Sequence, residues 1–383
     1  MSKTVGIAGA GFSGAVIARE LAEAGHHAEI FETRSHVAGN CFTKRDDDTG
    51  VMIHDYGPHI FHTDNQRVWD YINSHGEMMR YDHRVRTTVG GNVHLMPINL
   101  LTINQLFGKA LNPAEARAFI AEQADATIGE PANFEEQALK FVGRTIYEAF
   151  FYGYTRKQWG VEPTKLPASI LKRLPVRFTY DDSYFNHKNQ AIPKDGYTPI
   201  VESILDHPNI SVRLETPFPH DDAQRFDHVI WTGPLDAYFQ HTEGRLGYRT
   251  LDFERFNAEG DYQGCSVMNY GDYEVPYTRI TEHKFFAPWE EHDNTVCFRE
   301  FSRECSEEDI PYYPIRLTDD RAMLDAYLAR ANASSGVSFV GRLGTYRYLD
   351  MDVTIAEALD AADQLKSHLA DGTAAPAFFL DPT

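Results

Sequence analysis

Thr4-Val5-Gly6-Ile7-Ala8-Gly9-Ala10-Gly11-Phe12-Ser13-Gly14 is the stretch whose reading decides the fold. Its first five residues read as a short buried strand, and the next six form a G-x-G-x-x-G turn. Residues 15–24 continue as a helix with Val16, Ile17, Ala18 and Leu21 on its inner side, and Ala28-Glu29-Ile30-Phe31 is a second strand ending on Glu32. Each part has a physical task in holding a dinucleotide. Gly9 makes the tight turn, Gly11 lets a pyrophosphate approach the backbone, and Gly14 lets helix and strand pack closely. Phe12 and Ser13 open the helix, whose unpaired N–H groups and positive dipole end face the phosphates. Glu32 can accept hydrogen bonds from a ribose diol. The glycine pattern alone fits a ligand-free turn equally well. Strand, helix, second strand and terminal acid in that order make it a dinucleotide site.

Just beyond lie Arg34 and Val37-Ala38-Gly39-Asn40, a turn that lets backbone approach the far end of a cofactor, provided Ala38 keeps a negative φ. The chain has 383 residues, 42% of them apolar, enough for two or three units around a large core. Its formal net charge of −20 argues against nucleic-acid or anionic-membrane partners and requires local arginines for any anionic substrate. No apolar run is long enough to span a membrane. Met1-Ser2-Lys3 leads straight into the first strand, so no signal peptide is expected. Cys41, Cys265, Cys297 and Cys305 show no C-x-x-C spacing and read as free thiols of a cytoplasmic protein.

Further along, Val51-Met52-Ile53-His54 reads as a strand and 65–74 as an amphipathic helix. His59 and His62 share an H-x-x-H spacing, but the Gly57-Pro58 turn and the lack of a matching third ligand argue against metal. Alternation around Val85, Thr87 and Val89, a Gly90-Gly91 turn and a return over 93–98 predict a hairpin. Helical periodicity then takes over across 102–151, with Pro113 opening one helix and Asn133 with Glu136 capping another. Phe150 to Gly160 carries five aromatics among its eleven residues and fits neither a clean helix nor a clean strand; it reads equally as core filler or as an aromatic wall. Residues 162–179, rich in proline, lysine and arginine, suit a diphosphate clamp or a solvated turn. Short strands at 210–214, 228–234 and 337–341 return to the first sheet, 247–300 alternates as antiparallel strands, and 318–331 is a helix. Thr354 with Glu357 predicts the cap of a last long helix, and the tail from Asp371 has too little pattern to dock. The expected class is therefore α/β: a discontinuous Rossmann-like domain interrupted by a helical insert and an antiparallel sheet domain.

Taken together, these blocks resemble the UDP-galactopyranose mutases of the bacterial type. The likeness runs from residue 4 to about 370 and rests on the glycine turn, Tyr56-Gly57-Pro58-His59-Ile60-Phe61-His62-Thr63, Gly153-Tyr154-Thr155-Arg156-Lys157-Gln158-Trp159-Gly160, Leu171-Lys172-Arg173-Leu174-Pro175-Val176-Arg177, Pro276-Tyr277-Thr278-Arg279, Pro311-Tyr312-Tyr313-Pro314 and Gly341-Arg342-Leu343-Gly344-Thr345-Tyr346-Arg347-Tyr348. The resemblance implies FAD, active in its reduced form, in a homodimer with a six-stranded antiparallel sheet. It implies reversible isomerisation of UDP-galactopyranose to UDP-galactofuranose through a covalent flavin N5–sugar intermediate, with no net redox change. An external electron donor such as NAD(P)H would keep the flavin reduced. It divides the chain into an FAD-binding domain (1–80, 195–233, 316–370), a helical domain (100–160), a sheet and substrate domain (81–99, 161–194, 234–315) and a tail (371–383).

The resemblance also assigns roles. Arg173 and Arg279 match the two diphosphate-binding arginines, whose bidentate forks suit that load. Tyr184, Tyr313 and Tyr348 match hydroxyl donors to the diphosphate. Phe150, Phe151 and Tyr154 match the uracil-side wall, and Thr155, Trp159 and Asn269 further substrate contacts. His62 matches the catalytic histidine beside the flavin. His59, Ile60, Gly39, Asn40, Gly341, Arg342, Asp350 and Met351 match cofactor-contacting positions. His83 stands at a substrate-facing position where some relatives carry Asn, which leaves UDP-N-acetylgalactosamine open as substrate. An FAD oxidoreductase of amine-oxidase-like architecture is the alternative activity, distinguished by stoichiometric hydride transfer or oxygen consumption.

Overall fold

Thr4–Ala8 lies at the middle of a five-stranded sheet in the order Ile210–Arg213, His27–Phe31, Thr4–Ala8, His228–Trp231, Val337–Phe339, every pair parallel. The structure is a computed structural model that describes residues 2–173, 176–315 and 321–382, the side chains of Lys172 and Arg173 excepted. Parallel strands need both faces covered, and both are. Ile7, Ile17, Leu21, Ile30, Ile200, Ile204, Ile355 and Leu359 pack between the sheet and helices Phe12–Glu23, Tyr197–Leu205 and Met351–Asp371. Phe31, Phe218, Phe226, Trp231, Tyr327 and Phe339 fill the opposite face under helix Arg321–Ala333. Each large apolar side chain so buried contributes about 1.5–3 kcal/mol.

A second sheet runs Tyr313–Pro314, Tyr248–Glu259, Asn294–Glu304, Arg279–Glu282, Val267–Tyr270, Val85–Val89, Asn92–Met96. It has seven strands where six antiparallel ones were expected. The extra edge strand is Tyr313–Pro314, two residues paired to Tyr248 and Arg249, and an edge is where proline can sit in a sheet. Val267–Tyr270 pairs parallel with Val85–Val89. The two strands are far apart in sequence, so no hairpin turn dictates their direction. Between the large sheets, Phe61–Thr63, Asn189–Pro193 and Met78–Arg80 form a three-stranded antiparallel sheet. Strand Asn189–Pro193 thereby pairs with segments from the N-terminal part of the chain.

Helices Leu100–Phe107, Pro113–Gln123 and Phe134–Ile146 build a separate core around Ile103, Ile120, Phe134 and Ile146. Asn133 caps the third, accepting from the Glu136 N–H. The stretch that fitted neither helix nor strand is a π-helical turn, Tyr147–Tyr152, running into helix Gly153–Trp159. Such turns are frequent at functional sites.

Three expectations fail for identifiable reasons. Ala38 has φ +73°, not the negative value assumed, because its N–H must reach the Ala10 carbonyl of the glycine turn at 2.9 Å. The last helix begins at Met351 rather than at Thr354; Asp350 takes the N-cap position, and Glu357 pairs with Arg347 at 2.5 Å instead of capping. The tail docks: the Phe339 N–H bonds the Ala377 carbonyl at 2.8 Å, the Ser338 hydroxyl bonds the Pro376 carbonyl, and Phe378 packs on Phe339. The Ala38 turn and the tail show no periodic sequence signal, since each is decided by a partner far along the chain.

Candidate active site

The glycine turn is closed from several sides. Gly9 has φ +102°, a conformation that suits glycine, and a side chain there would run into Thr232. At Gly14 a Cβ would overlap the Gly9 carbonyl oxygen, so helix and strand touch backbone to backbone. At Gly11 a Cβ would meet only the Gly39 Cα, at 3.9 Å, which leaves that backbone open to a ligand. Ser13 meets Gly341 from the C-terminal segment, where a Cβ would crowd the Ser13 Oγ and Cβ. Glu32 is buried; one carboxylate oxygen accepts from the Ala10 N–H and the other from the Arg34 N–H, each at 2.9 Å. Phe12, Ser13 and Gly14 open the helix with N–H groups that have no intrahelical partner.

Arg34 lies 4.4 Å from the Tyr56 ring centroid and donates to the Asn40 side chain at 2.7 Å, and its Nη1 is buried without a hydrogen-bond partner. An orphaned guanidinium nitrogen beside an open glycine backbone and a helix N-terminus fits the anionic part of a dinucleotide. Arg342 joins this cradle to the second half of the site. It donates to the Leu349 carbonyl at 2.7 Å and lies over the rings of Tyr348 (5.0 Å) and Tyr313 (5.7 Å). Burial, then the charge of Arg342, pushes His59 down to about 4, so its ring is neutral. Burial also pushes the Cys41 thiol up to about 12 although Arg342 and Arg34 face it. Ile60 is buried, and Met351 packs on the edge of the first core.

The second half centres on Arg279. Its Nη2 donates to the Tyr154 hydroxyl at 2.7 Å, and its Nε lies 3.3 Å from the Glu300 carboxylate without forming a hydrogen bond. Burial works against the charge, but Glu300 and the hydroxyls of Tyr154, Tyr313 and Tyr184 outweigh it and hold the guanidinium firmly protonated. Burial pushes Tyr184 up to about 12 and raises Tyr154 and Tyr313, so all three stay hydroxyl donors. Tyr313 stacks on Tyr348 at 5.8 Å. Asn269 sits directly opposite Arg279 in the sheet, its buried Oδ1 without a partner.

His83 is buried with an unpartnered Nδ1. Burial, then Arg279 and His62, push its pKa down to about 3. The His62 Nδ1 lies 2.6 Å from the His187 Nδ1, so one ring donates and the other accepts. Burial lowers its pKa, while Asp350 and Asp352 act to raise it. Asp350 makes no capping hydrogen bond through its side chain, which leaves its carboxylate free to act on His62 and Tyr184.

These residues meet although they come from segments scattered along the whole chain. Phe150 and Phe151 are placed differently from Tyr154: both are buried in the helical core, Phe150 against His94 and Phe151 against Phe134. Thr155 is buried and Trp159 borders that core. Arg173 ends the short helix Ala168–Arg173, but its side chain lies outside the described residues. Sequence reading missed Glu300 and His187. Glu300 had a faint signal, an acid at the two-residue spacing that puts it on the strand face of Val296 and Phe298; His187 had none.

The model of the family described as UDP-galactopyranose mutase matches residues 149–348, and that of the NAD(P)-binding Rossmann-like domain matches residues 7–74. The chain is 59% identical to a probable UDP-galactopyranose mutase of Klebsiella pneumoniae, over 98% of each chain. It belongs to the UDP-galactopyranose mutase family. It is also 52% identical to the dTDP-fucopyranose mutase of Escherichia coli, over 93% of this chain and 96% of that one. A reduced UDP-galactopyranose mutase of known structure superposes with a TM-score of 0.75 at 16% identity, over 97% of this chain and 96% of that one, which shows the shared fold. Members of this family are isomerases.

Proposed function

We propose that the protein interconverts UDP-galactopyranose and UDP-galactofuranose with reduced FAD, without net redox change. The observation that carries this reading is the Arg279 cluster: a protonated, partly buried guanidinium bonded to the Tyr154 hydroxyl, with the neutral hydroxyls of Tyr184 and Tyr313 nearby, an arrangement suited to a departing diphosphate. When bound, reduced FAD would supply the electron pair that takes up the anomeric carbon. The chain's own groups do the rest. Arg279, joined by Arg173, holds the diphosphate while Tyr184, Tyr313 and Tyr348 donate to its oxygens. Glu300 orients Arg279 from behind, and Tyr154 lines the uracil side, backed by Phe150 and Phe151 in the helical core. Thr155, Trp159, Asn269 and His83 contact the substrate, Trp159 near the sugar. Glu32, Arg34, Asn40 and the glycine turn hold the cofactor's nucleotide half; His59, Ile60, Arg342, Asp350 and Met351 flank its ring; and His62 with His187 holds a proton beside it. The division into FAD-binding, helical and sheet units, a homodimeric state and a cytoplasmic location belong to the same reading. Among the described residues no helix is long and apolar enough to cross a membrane.

A second reading has a specific basis: the 52%-identical dTDP-fucopyranose mutase points to a dTDP-linked 6-deoxyhexose. One assay decides. The purified flavoprotein is reduced with dithionite and given UDP-galactofuranose, UDP-N-acetylgalactosamine or dTDP-fucopyranose in separate reactions. The expected product is UDP-galactopyranose, from the reduced enzyme only and with no oxygen consumed. Equal turnover with oxidised flavin would end the proposal, and conversion of the dTDP sugar alone would install the second reading.

A further inference from the structure

Helix Gly153–Trp159 carries Tyr154, and Lys157 lies one turn further on. The Lys157 ammonium donates toward four main-chain carbonyls: Tyr270 at 2.6 Å, Asp272 at 2.8 Å, Val275 at 3.0 Å and Tyr277 at 3.1 Å. Three N–H bonds serve four oxygens, so the nitrogen sits inside a carbonyl cage rather than against a single acceptor. The Tyr270 carbonyl ends strand Val267–Tyr270, and the other three belong to its connection to strand Arg279–Glu282; these strands hold Asn269 and Arg279. The helix touches this connection directly, since a Cβ on Gly153 would overlap the Gly271 carbonyl oxygen.

The helix therefore has two polar ties to one hairpin. Lys157 holds the hairpin's turn, and Tyr154 accepts from Arg279 where the returning strand begins. An apolar seam would join helix and sheet without taking an ammonium out of water, which is costly. Burial pulls this ammonium's pKa down to about 8, with Asp272 and Glu274 opposing. What an apolar seam lacks is direction. Four carbonyls pointed at one nitrogen fix the turn's position and rotation together, and with them the start of the strand that opens on Arg279.

We infer that Lys157 is a positioning residue: its clasp on the carbonyls of residues 270–277 sets Arg279 against Tyr154 and so shapes the anion site. This rests on the reading above that Arg279 holds the substrate's diphosphate. Lys157 itself touches neither substrate nor cofactor.

The test uses full-length holoprotein. Lys157→Ala and Lys157→Gln are assayed for UDP affinity, KM and kcat, with flavin content and melting temperature as checks on folding. Both variants should retain flavin, and both should raise the UDP Kd and the KM about tenfold or more, with kcat at saturation changed much less. In Lys157→Ala the emptied cage matches the coordination distances of ammonium or potassium, so ammonium chloride or potassium chloride should restore UDP affinity. Tetramethylammonium chloride at the same ionic strength should not. Unchanged UDP affinity and KM in either flavin-replete variant overturns the inference, and so does equal recovery with tetramethylammonium. Should Lys157→Ala lose its flavin, Lys157→Gln alone decides by the KM split. Arg279→Lys separates the two levels: if it leaves UDP binding intact, the diphosphate reading falls; if it weakens UDP binding while the Lys157 variants do not, only the clasp falls.

Discussion

The cofactor cradle and the Arg279 cluster are both built to receive negative charge, by opposite means. The cradle is local. Gly9, Gly11, Gly14, Glu32, Arg34 and Asn40 fall within one stretch, and its donors are backbone N–H groups at a helix start. The cluster is distributed. Tyr154, Tyr184, Arg279, Glu300, Tyr313 and Tyr348 come from different elements, and the donors are side chains: burial keeps the tyrosines protonated, while Glu300 and the tyrosines keep Arg279 charged against its burial. Backbone donors cannot be mutated away but tolerate no intruding side chain. Side-chain donors can be substituted one at a time, each leaving its partners stranded.

That contrast can be broken first at the glycines. Gly14→Ala drives a methyl group into the Gly9 carbonyl and should remove flavin while lowering stability by about 3 kcal/mol. Gly11→Ala has open space and should keep the wild-type urea midpoint while weakening FAD binding roughly tenfold, about 1.4 kcal/mol. Equal stability losses in the two would mean that Gly11 is packing, not cradle.

Arg279→Lys tests the other side. Charge is kept, but the planar fork to Tyr154 and Glu300 is lost. We expect kcat/KM to fall about 100-fold, about 2.7 kcal/mol, with flavin content unaltered. A drop of less than threefold would deprive the guanidinium of its role.

Acid should then strike the two halves through their histidines. His59 is pushed by burial to about 4 and His83 to about 3, against an ordinary value of about 6.5. Between those values the unfolded chain binds protons that the folded chain refuses. Stability therefore falls as pH drops below 6.5, by up to about 1.4 kcal/mol per unit for each such histidine. Urea midpoints at pH 7 and pH 5 measure the slope, and His83→Asn should make it shallower; an identical slope would place the acid sensitivity elsewhere. The smallest effect is expected at Ala38, where the left-handed backbone costs about 1 kcal/mol. Ala38→Gly should raise the urea midpoint by up to that amount, and a lowered midpoint would show that the strain is offset by the buried methyl.

How much was legible follows from the same division. The glycine turn, its flanking strands and Glu32 were readable because their signals are periodic or lie close together. Asn133 was readable as a cap because its partner Glu136 is three residues away. Glu300, His187 and the docked tail were not, because the partners that explain them, Arg279, His62 and Phe339, are distant in sequence. Ala38 misled because its φ answers to the Ala10 carbonyl and not to its neighbours.

By itself the order of residues determined a Rossmann-like start, an acidic surface with a few basic patches, and the kinship of the chain's motif blocks. Short-range hydrogen bonding and hydrophobic periodicity write those features locally. Only the folded chain decided that Arg279 would stand against Glu300 beneath three tyrosines, that Lys157 would sit in a ring of carbonyls, and that strand Val267–Tyr270 would run parallel to Val85–Val89. Those arrangements depend on which apolar faces close on one another, and burial at that closure sets the charges the site can keep.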